Sequence, residues 1–535
     1  MIMSEAMLRE ASYYSRMAMG YYQLRRMPLE PDPRAFIRRS LQNRESNFLD
    51  LMKRAVFENP TNPYYTLFDW AGCTYGDLEK GVRADGIEST LETLRKAGVY
   101  LEHDEFKGKR PIERSGKQLA SEPSMYRNPL VKGVLETSSS GSRSSGTITR
   151  RSLEFHYYRE AQERIFLDEH DFSKHSVVRV SSILPSSGGV RRALIYPRRG
   201  DHIDRWFALG GSLKDSAHYR LLTRYLVLQA RLLGVRATFP TFLPQNDFSP
   251  VARRVARLRS EGKDVYLTVG VSNGVRVAAV AAELGLDISG TQVRVHGEAL
   301  TPAKRAAIQK VGATPFPGYT ISELGKIGGS CSHLEDGNCV HICLDSVAVI
   351  SRRRMAPLTE VEVDSLLFTS LLPQAATVLI NVEMDDAGTL GDARCDCSLS
   401  ALGLTRQISN IFSYGKLTGQ GMTLMGGDLL NILENILPSR FGGGPTDYQI
   451  VEREGEQQTE IELRVHPSAT KSSDESVKQF FLSELTNVYG GSLSRRNWVQ
   501  TNGVRVVFAE PYRTANEGKT HPLHLLGTGE RQRTS

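Results

Sequence analysis

What the chain lacks narrows it first. No run of apolar residues approaches the roughly 18–20 that a helix needs to cross a bilayer, which argues against membrane insertion. The opening residues, Met1-Ile2-Met3-Ser4-Glu5-Ala6, have no apolar stretch of the kind a secretory leader carries, so a cytoplasmic location is expected. Six cysteines in 535 residues do not make a disulfide scaffold. There is no internal repeat, so a repeat architecture is not expected. The net charge is +7, yet the arginines are scattered: pairs recur at 150–151, 191–192, 198–199 and 253–254, with a triplet at 352–354. That pattern is no nucleic-acid footprint, and it leaves a minority of the arginines to serve an anionic small molecule.

What is present fits a globular protein of two or three domains. Residues 1–130 mix helical patches (Phe48 to Val56, Ile87 to Ala97) with Pro- and Tyr-containing connectors. Strand-like runs follow at 177–182, 193–196, 265–269 and 293–296, alternating with helical patterns at 219–233, 275–284 and 302–310. This alternation predicts an α/β sheet. Further β-type runs are expected at 362–369 and 376–382. A boundary is read near Ser413-Tyr414-Gly415-Lys416, followed by a compact α+β unit of about 120 residues, with helices at 429–437 and 476–488 and strands at 448–451, 460–465 and 504–509.

Residues 136–150 are the densest chemical signal. They hold six serines, three threonines, two glycines and two arginines, Arg143 and Arg150. Such a run is neither core strand nor helix. Its hydroxyls, backbone N–H groups and cations are suited to wrap a polyphosphate. The plainer reading is a flexible linker, and the Gly-Lys-Ser ending of a Walker loop is missing.

Three further motifs come after it. Phe316-Pro317-Gly318-Tyr319-Thr320-Ile321-Ser322-Glu323 sets an aromatic ring four residues before a carboxylate, a pair able to stack on a purine and ligate a hard cation. Leu379 to Val382 reads as a strand running into Asp385-Asp386, a carboxylate suited to accept hydrogen bonds from ribose hydroxyls. Near the end, Gly518-Lys519 on a loop can carry a positive charge to a reacting phosphate.

Taken in order, the four motifs resemble the adenylate-forming enzymes, most closely the phenylacetate–CoA ligase group, over most of the chain from about residue 55. The resemblance implies a large α/β adenylate-forming domain over 1–412, including the mostly helical region 1–130. It also implies a hinge at 413–418 and a smaller, mobile α+β C-terminal domain over 419–535. It implies that Ser139, Ser140, Gly141, Ser142, Ser145, Gly146 and Thr147 bind the phosphates of ATP, with the register open between Ser139-Ser140-Gly141 and Ser144-Ser145-Gly146. Gly297 and Glu298 match the family's nucleotide-side element. Tyr319 and Thr320 lie at the adenine, Glu323 at Mg²⁺, Asp386 at the ribose and Lys416 at the hinge, and Lys519 matches the adenylation lysine. Two departures stand out: Lys416 replaces the family's hinge arginine, and Asn381-Val382-Glu383 replaces a basic run before the ribose aspartate.

The implied reaction joins a small-molecule carboxylic acid to the α-phosphate of ATP, releasing pyrophosphate. The acyl group then passes to an acceptor: CoA in the leading reading, an amine or carrier protein in the alternative. A catalytically silent nucleotide-binding homologue is the third reading, and the oligomeric state is left open. The acid is expected between Tyr266 to Gly274 and the strand ending at His296, with 183–212 as a wall. Separately, Cys331, His333, Cys395 and Cys397 form a C-x-H and a C-x-C pair, a set able to hold a structural zinc, although Cys339, His341 and Cys343 complicate the choice of ligands. Cys343 or Cys331 could instead accept an acyl group.

Overall fold

The computed structural model describes residues 5–133, 135–138, 148–184, 187–201, 203–209, 213–243, 247–333, 338–355, 362–413, 426–454, 459–485, 504–514 and 518–526. A twelve-stranded mixed sheet is built from strands lying between residues 176 and 413. Its parallel half runs Thr314–Ile321, Gln292–His296, Val265–Gly270, Ser176–Ser182, Ile203–Leu209 and Pro240–Phe242. The other half is antiparallel: Gly325–Gly329, Val340–Ile342, Arg406–Ser413, Val382–Asp392, Glu362–Ser370 and Val347–Met355.

Burial on both faces explains the composition of the parallel strands. Val265–Gly270 is buried at every residue, the continuous apolar pattern of a sheet covered twice. One cover is the Ser249–Ser260 helix, which points Val251, Ala252, Val255 and Leu258 inward, and the Val271–Glu283 helix beside it. On the other face lie Leu153–Asp168 and Ser187–Ile195. The latter overturns the strand expected at 193–196. Val190, Ala193 and Leu194 share one helical face, and they pack with Trp206 and Leu226, so a short apolar run was helix, not strand.

The N-terminal region is helical, as expected; Glu5–Arg26 packs with the helices over the parallel half, and the helices between residues 44 and 96 pack on the antiparallel half. Phe48, Leu51, Leu67, Phe68 and Leu91 share a core with Ile350 and Leu367. Thr74 and Asp77 cap the Tyr75–Lys96 helix reciprocally. This layer also explains the departure at 381–383. The run 376–382 forms no ladder strand before Val382. Instead Asn381, in the left-handed region at φ +51°, donates its amide to the carbonyls of Leu91 (2.8 Å) and Val99 (3.1 Å). Tyr64 accepts from the Ile380 N–H at 2.9 Å. Glu383 donates its N–H to the Leu101 carbonyl at 2.9 Å, while its carboxylate takes Arg354 from a strand of the same sheet. These residues tie the helical layer to the sheet.

Beyond the large sheet, Tyr448–Glu454, Thr459–Val465, Val504–Phe508 and Leu523–Leu526 form a separate four-stranded sheet covered by Asp474–Leu485. A helical segment within 426–441 joins that core through Leu429, Ile432, Leu433 and Leu437. It also reaches the Pro302–Gln309 helix beside the large sheet. Lys304 and Glu434 form an ion pair of 2.9 Å with both side chains 5% exposed or less, and Thr301 donates to Glu434.

Candidate active site

Parallel strands end together, and the groups most available for chemistry collect at their carboxyl ends. The Gln292–His296 strand runs into Gly297 at φ +85°. A Cβ there would stand 2.8 Å from Lys519 Cε and 3.1 Å from its Nζ, so the glycine lets the lysine lie against the strand end. The loop carrying Lys519 is closed on itself. Thr514 N–H donates to the Lys519 carbonyl (2.9 Å), and Lys519 N–H donates to Thr514 Oγ1 (3.0 Å). It is docked by Arg276, which donates to the Gly518 carbonyl (3.2 Å) and to Thr520 Oγ1. Ser272 donates to Glu298, whose other oxygen is buried without a partner. Gly297, Glu298 and Lys519, separated by more than 200 residues, thus meet at one place.

A second group lies on the Thr314–Ile321 strand. Tyr319 donates its hydroxyl to Asp386 Oδ2 at 2.6 Å. Burial, then the carboxylate, pushes the phenol well above its ordinary range. The expected strand end at Asp386 is corrected. Tyr319 is a strand residue, and Asp386 sits inside the Val382–Asp392 strand opposite Ser413, just after Asp385 at φ +60°, where pairing with the Glu362–Ser370 strand shifts register. Thr320 is exposed on the same strand.

Glu323 follows in the turn and is 5% exposed. Its Oε1 accepts from Lys107 Nζ at 2.7 Å. Lys107 caps the His103–Phe106 helix, and from that helix His103 Nδ1 comes within 3.2 Å of Asp385 Oδ2. Sequence reasoning missed Lys107 and His103. They stand more than 200 residues from the motifs they touch, and no local spacing marks them. Arg151, beneath the turn, donates to the Ser322 carbonyl.

The strands Leu135–Ser138 and Ile148–Arg151 pair with Ser138 opposite Ile148, so they bring the two ends of the Ser/Gly run together as a hairpin. The candidate phosphate residues Ser139, Ser140, Gly141, Ser142, Ser145, Gly146 and Thr147 lie outside the described residues, as does Lys416.

The cysteine cluster needs one correction. Cys331, Cys395 and Cys397 converge, but their fourth neighbour is His341, not His333. His333 sits on a turn, 62% exposed, 3.7 Å from a Glu169 oxygen. His341 lies on the buried Val340–Ile342 strand, paired with Gln407, and is aimed at the 395–397 loop. Its Nε2 is 3.3 Å from Cys395 Sγ and 3.4 Å from Cys397 Sγ, while Cys395 lies 3.5 Å from Cys397 and 3.8 Å from Cys331. A tetrahedral zinc with bonds of about 2.3 Å to sulfur sets its sulfurs about 3.8 Å apart, so the four atoms fit that ion. Leu404 O lies 2.8 Å from His341 Nδ1, a partner that leaves Nε2 free to ligate. Cys343 is wholly buried and Cys331 is 2% exposed within the cluster, so neither presents a thiol to an acyl group.

No protein-family model and no curated protein matches the sequence. Solved structures do. 2-Hydroxyisobutyryl-CoA ligase in the postadenylation state aligns at 15% identity over 90% of this chain and 88% of that one, with a TM-score of 0.51. The same ligase with 2-HIB-AMP and CoA, in the thioesterification state, aligns at 14% over 90% and 89%, TM-score 0.42. E. coli MenE with an analogue of OSB-AMS aligns at 12% over 69% and 66%, TM-score 0.31. The first of these, with the mixed sheet and the smaller C-terminal sheet, shows the architecture: this chain has the fold of the adenylate-forming enzymes.

Proposed function

We propose that the protein activates a carboxylic acid with ATP, forming an acyl-adenylate and releasing pyrophosphate, and then transfers the acyl group to CoA. The observation that carries this reading is the placement of Lys519 against Gly297, at the strand end shared with Glu298 and on a loop of the C-terminal unit. The substrate carboxylate is itself the nucleophile, attacking the α-phosphorus as pyrophosphate leaves. The protein's task is to hold the two reactants in line and to offset the charge gathering on the phosphate oxygens. Lys519 bridges the carboxylate and the α-phosphate. Tyr319 and Asp386 hold adenine and ribose, and their mutual hydrogen bond orients both before the nucleotide arrives. The hairpin loop 139–147 receives the β- and γ-phosphates.

Mg²⁺ suits Glu323, because one buried carboxylate plus substrate phosphates is a common set for that ion. Bound there, it would neutralise phosphate charge. Lys107 now occupies the cation position on Glu323, so metal and lysine compete for it. Transfer to the acceptor needs Lys519 withdrawn, and we propose that the C-terminal unit rotates about 413–418 to do so. We also assign Cys331, His341, Cys395 and Cys397 to a structural zinc.

The test is pyrophosphate release from ATP across a panel of carboxylic acids, with CoA, amines and carrier protein added in turn. Lys519→Ala should abolish pyrophosphate release while ATP still binds in calorimetry. Release undiminished in that variant removes the lysine from the mechanism.

A further inference from the structure

Inward from Lys519 the sheet carries a concentration of positive charge that the adenylation step does not use. Arg179, Thr268, Arg294 and Phe316 are register neighbours on four adjacent parallel strands, so they form one row on one face. His296 follows Arg294 by two residues on that face. The covering helices, Leu153–Asp168 and Ser187–Ile195, add Arg159, Arg191 and Arg192, and Lys326 comes from a neighbouring strand.

The carboxylates on this face are too few. Glu163 takes Arg294 through bonds of 2.7 and 3.1 Å, with Lys326 at 3.6 Å and Arg192 at 3.8 Å. Glu160 is shared by Arg191 and Arg199, and Asp201 by Arg199 and Arg164. Among the described residues, Arg159 and Arg179 pair with none. Arg179 is 1% exposed. Its Nε donates to Ser181 Oγ at 3.1 Å, and its Nη1 is buried without a partner. Arg192 Nε and His296 Nε2 are likewise buried and unpartnered. Burial and the neighbouring Arg192 pull the Arg179 guanidinium down to about 9, and burial with Arg192, Arg179 and Arg294 holds His296 neutral. A buried guanidinium without a counter-ion is costly, and a fold that retains one has an anion to meet it. The row also has a direction. Arg294 and Arg179 lie in the register row, His296 follows Arg294 toward the strand end, and Lys519 lies against Gly297 just beyond it.

We propose that the acid substrate carries a second anionic group, held by Arg179 and Arg192, while the reacting carboxylate lies at Lys519. The substrate class is thus dicarboxylic, and this rests on the adenylation reading above. The guanidinium fork binds a carboxylate through two parallel hydrogen bonds, and the unpartnered Arg179 Nη1 and Arg192 Nε are donors for it.

The experiment compares acids of matched skeleton: hexanoate with adipate, and benzoate with each benzenedicarboxylate. Pyrophosphate release by the full-length protein should favour at least one diacid over its monoacid by about 100-fold or more in kcat/KM, since a site built for a polar group is left unpaired by an analogue lacking it. Arg179→Met should erase that preference mainly through KM, and Arg179→Lys should restore part of it. A readout independent of turnover is melting temperature. The preferred diacid should raise it in the wild type and not in Arg179→Met, and Arg179→Met should melt higher than the wild type without ligand, because a buried unpaired charge has gone. A structural arginine would lower it. Equal use of mono- and diacids with robust pyrophosphate release overturns the dicarboxylic assignment and leaves adenylation standing. A melting shift from inorganic phosphate or chloride equal to that from diacids, with no diacid preference, means a free-anion site and also overturns it. No pyrophosphate release with any acid removes the adenylation reading, whereas a diacid melting shift lost in Arg179→Met still establishes the anion site.

Discussion

Lys107→Met tests the competition at Glu323. Lys107 Nζ lies 2.7 Å from Glu323 Oε1, with the two side chains 18% and 5% exposed. At that distance and an effective dielectric near 20, the gross attraction is about 6 kcal/mol, most of it offset by desolvation. What matters on substitution is the carboxylate left buried without its partner, for which about 3–5 kcal/mol is the usual cost. Methionine keeps the side-chain stem packed, so the loss is electrostatic. At roughly 2–4 °C per kcal/mol, the value for domains of 150–250 residues, the metal-free variant should melt some 6–20 °C below the wild type. The same lysine opposes any ion that binds Glu323. Its removal should therefore lower the Mg²⁺ concentration needed for half-maximal pyrophosphate release, by up to about 100-fold if 3 kcal/mol of competition is relieved. Differential scanning fluorimetry with and without Mg²⁺·ATP, and a Mg²⁺ titration of the rate, check both halves. A variant that melts with the wild type and shows an unchanged Mg²⁺ requirement would refute the competition.

Three further outcomes follow from the same geometry. Gly297→Ala should cut adenylate formation about 100-fold or more, because its Cβ collides with Lys519 Cε at 2.8 Å and its φ of +85° strains the backbone, yet ATP affinity measured by calorimetry should hold. Elemental analysis should find zinc in the wild type and in His333→Ala but not in His341→Ala; the reverse pattern restores the first assignment of the ligands. Burial, then Arg294, depresses Lys326 to about 7. Between pH 7 and the ordinary lysine value near 10.4 the unfolded chain holds a proton that the folded one lacks. Lys326 therefore makes stability rise with pH across that window, and below it the penalty of the buried charge is fully present. Lys326→Met should flatten this slope in denaturation at pH 7 and 9, and an unaltered slope would rule the group out.

Much of the framework was legible from side-chain pattern. Val265–Gly270 and Gln292–His296 are strands because runs of β-branched residues were bounded by turn signals, and Val271–Glu283 is a helix because its alanines and valines recur at helical spacing. The Tyr-x-x-x-Glu and Gly-Lys motifs were local, so they could be read directly. Illegible were the short apolar runs, such as 193–196, where helix and strand look alike until neighbours choose. Asn381 and Glu383, read against a family's basic run, turned out to be ties to the helical layer, through Leu91, Val99 and Leu101.

By itself, then, the sequence determined the alternation of elements, the candidate nucleotide residues and the presence of cysteines in ligand-like pairs. Only the tertiary structure decided which of them meet. It put Lys107 on Glu323, exchanged His333 for His341, laid Lys519 over Gly297 and gathered arginines from strands and helices into one face with too few carboxylates. The reason is that pattern along a chain records contacts between residues a few positions apart. Charge pairing and metal geometry depend on distances between residues brought together by folding, from positions tens to hundreds apart in sequence.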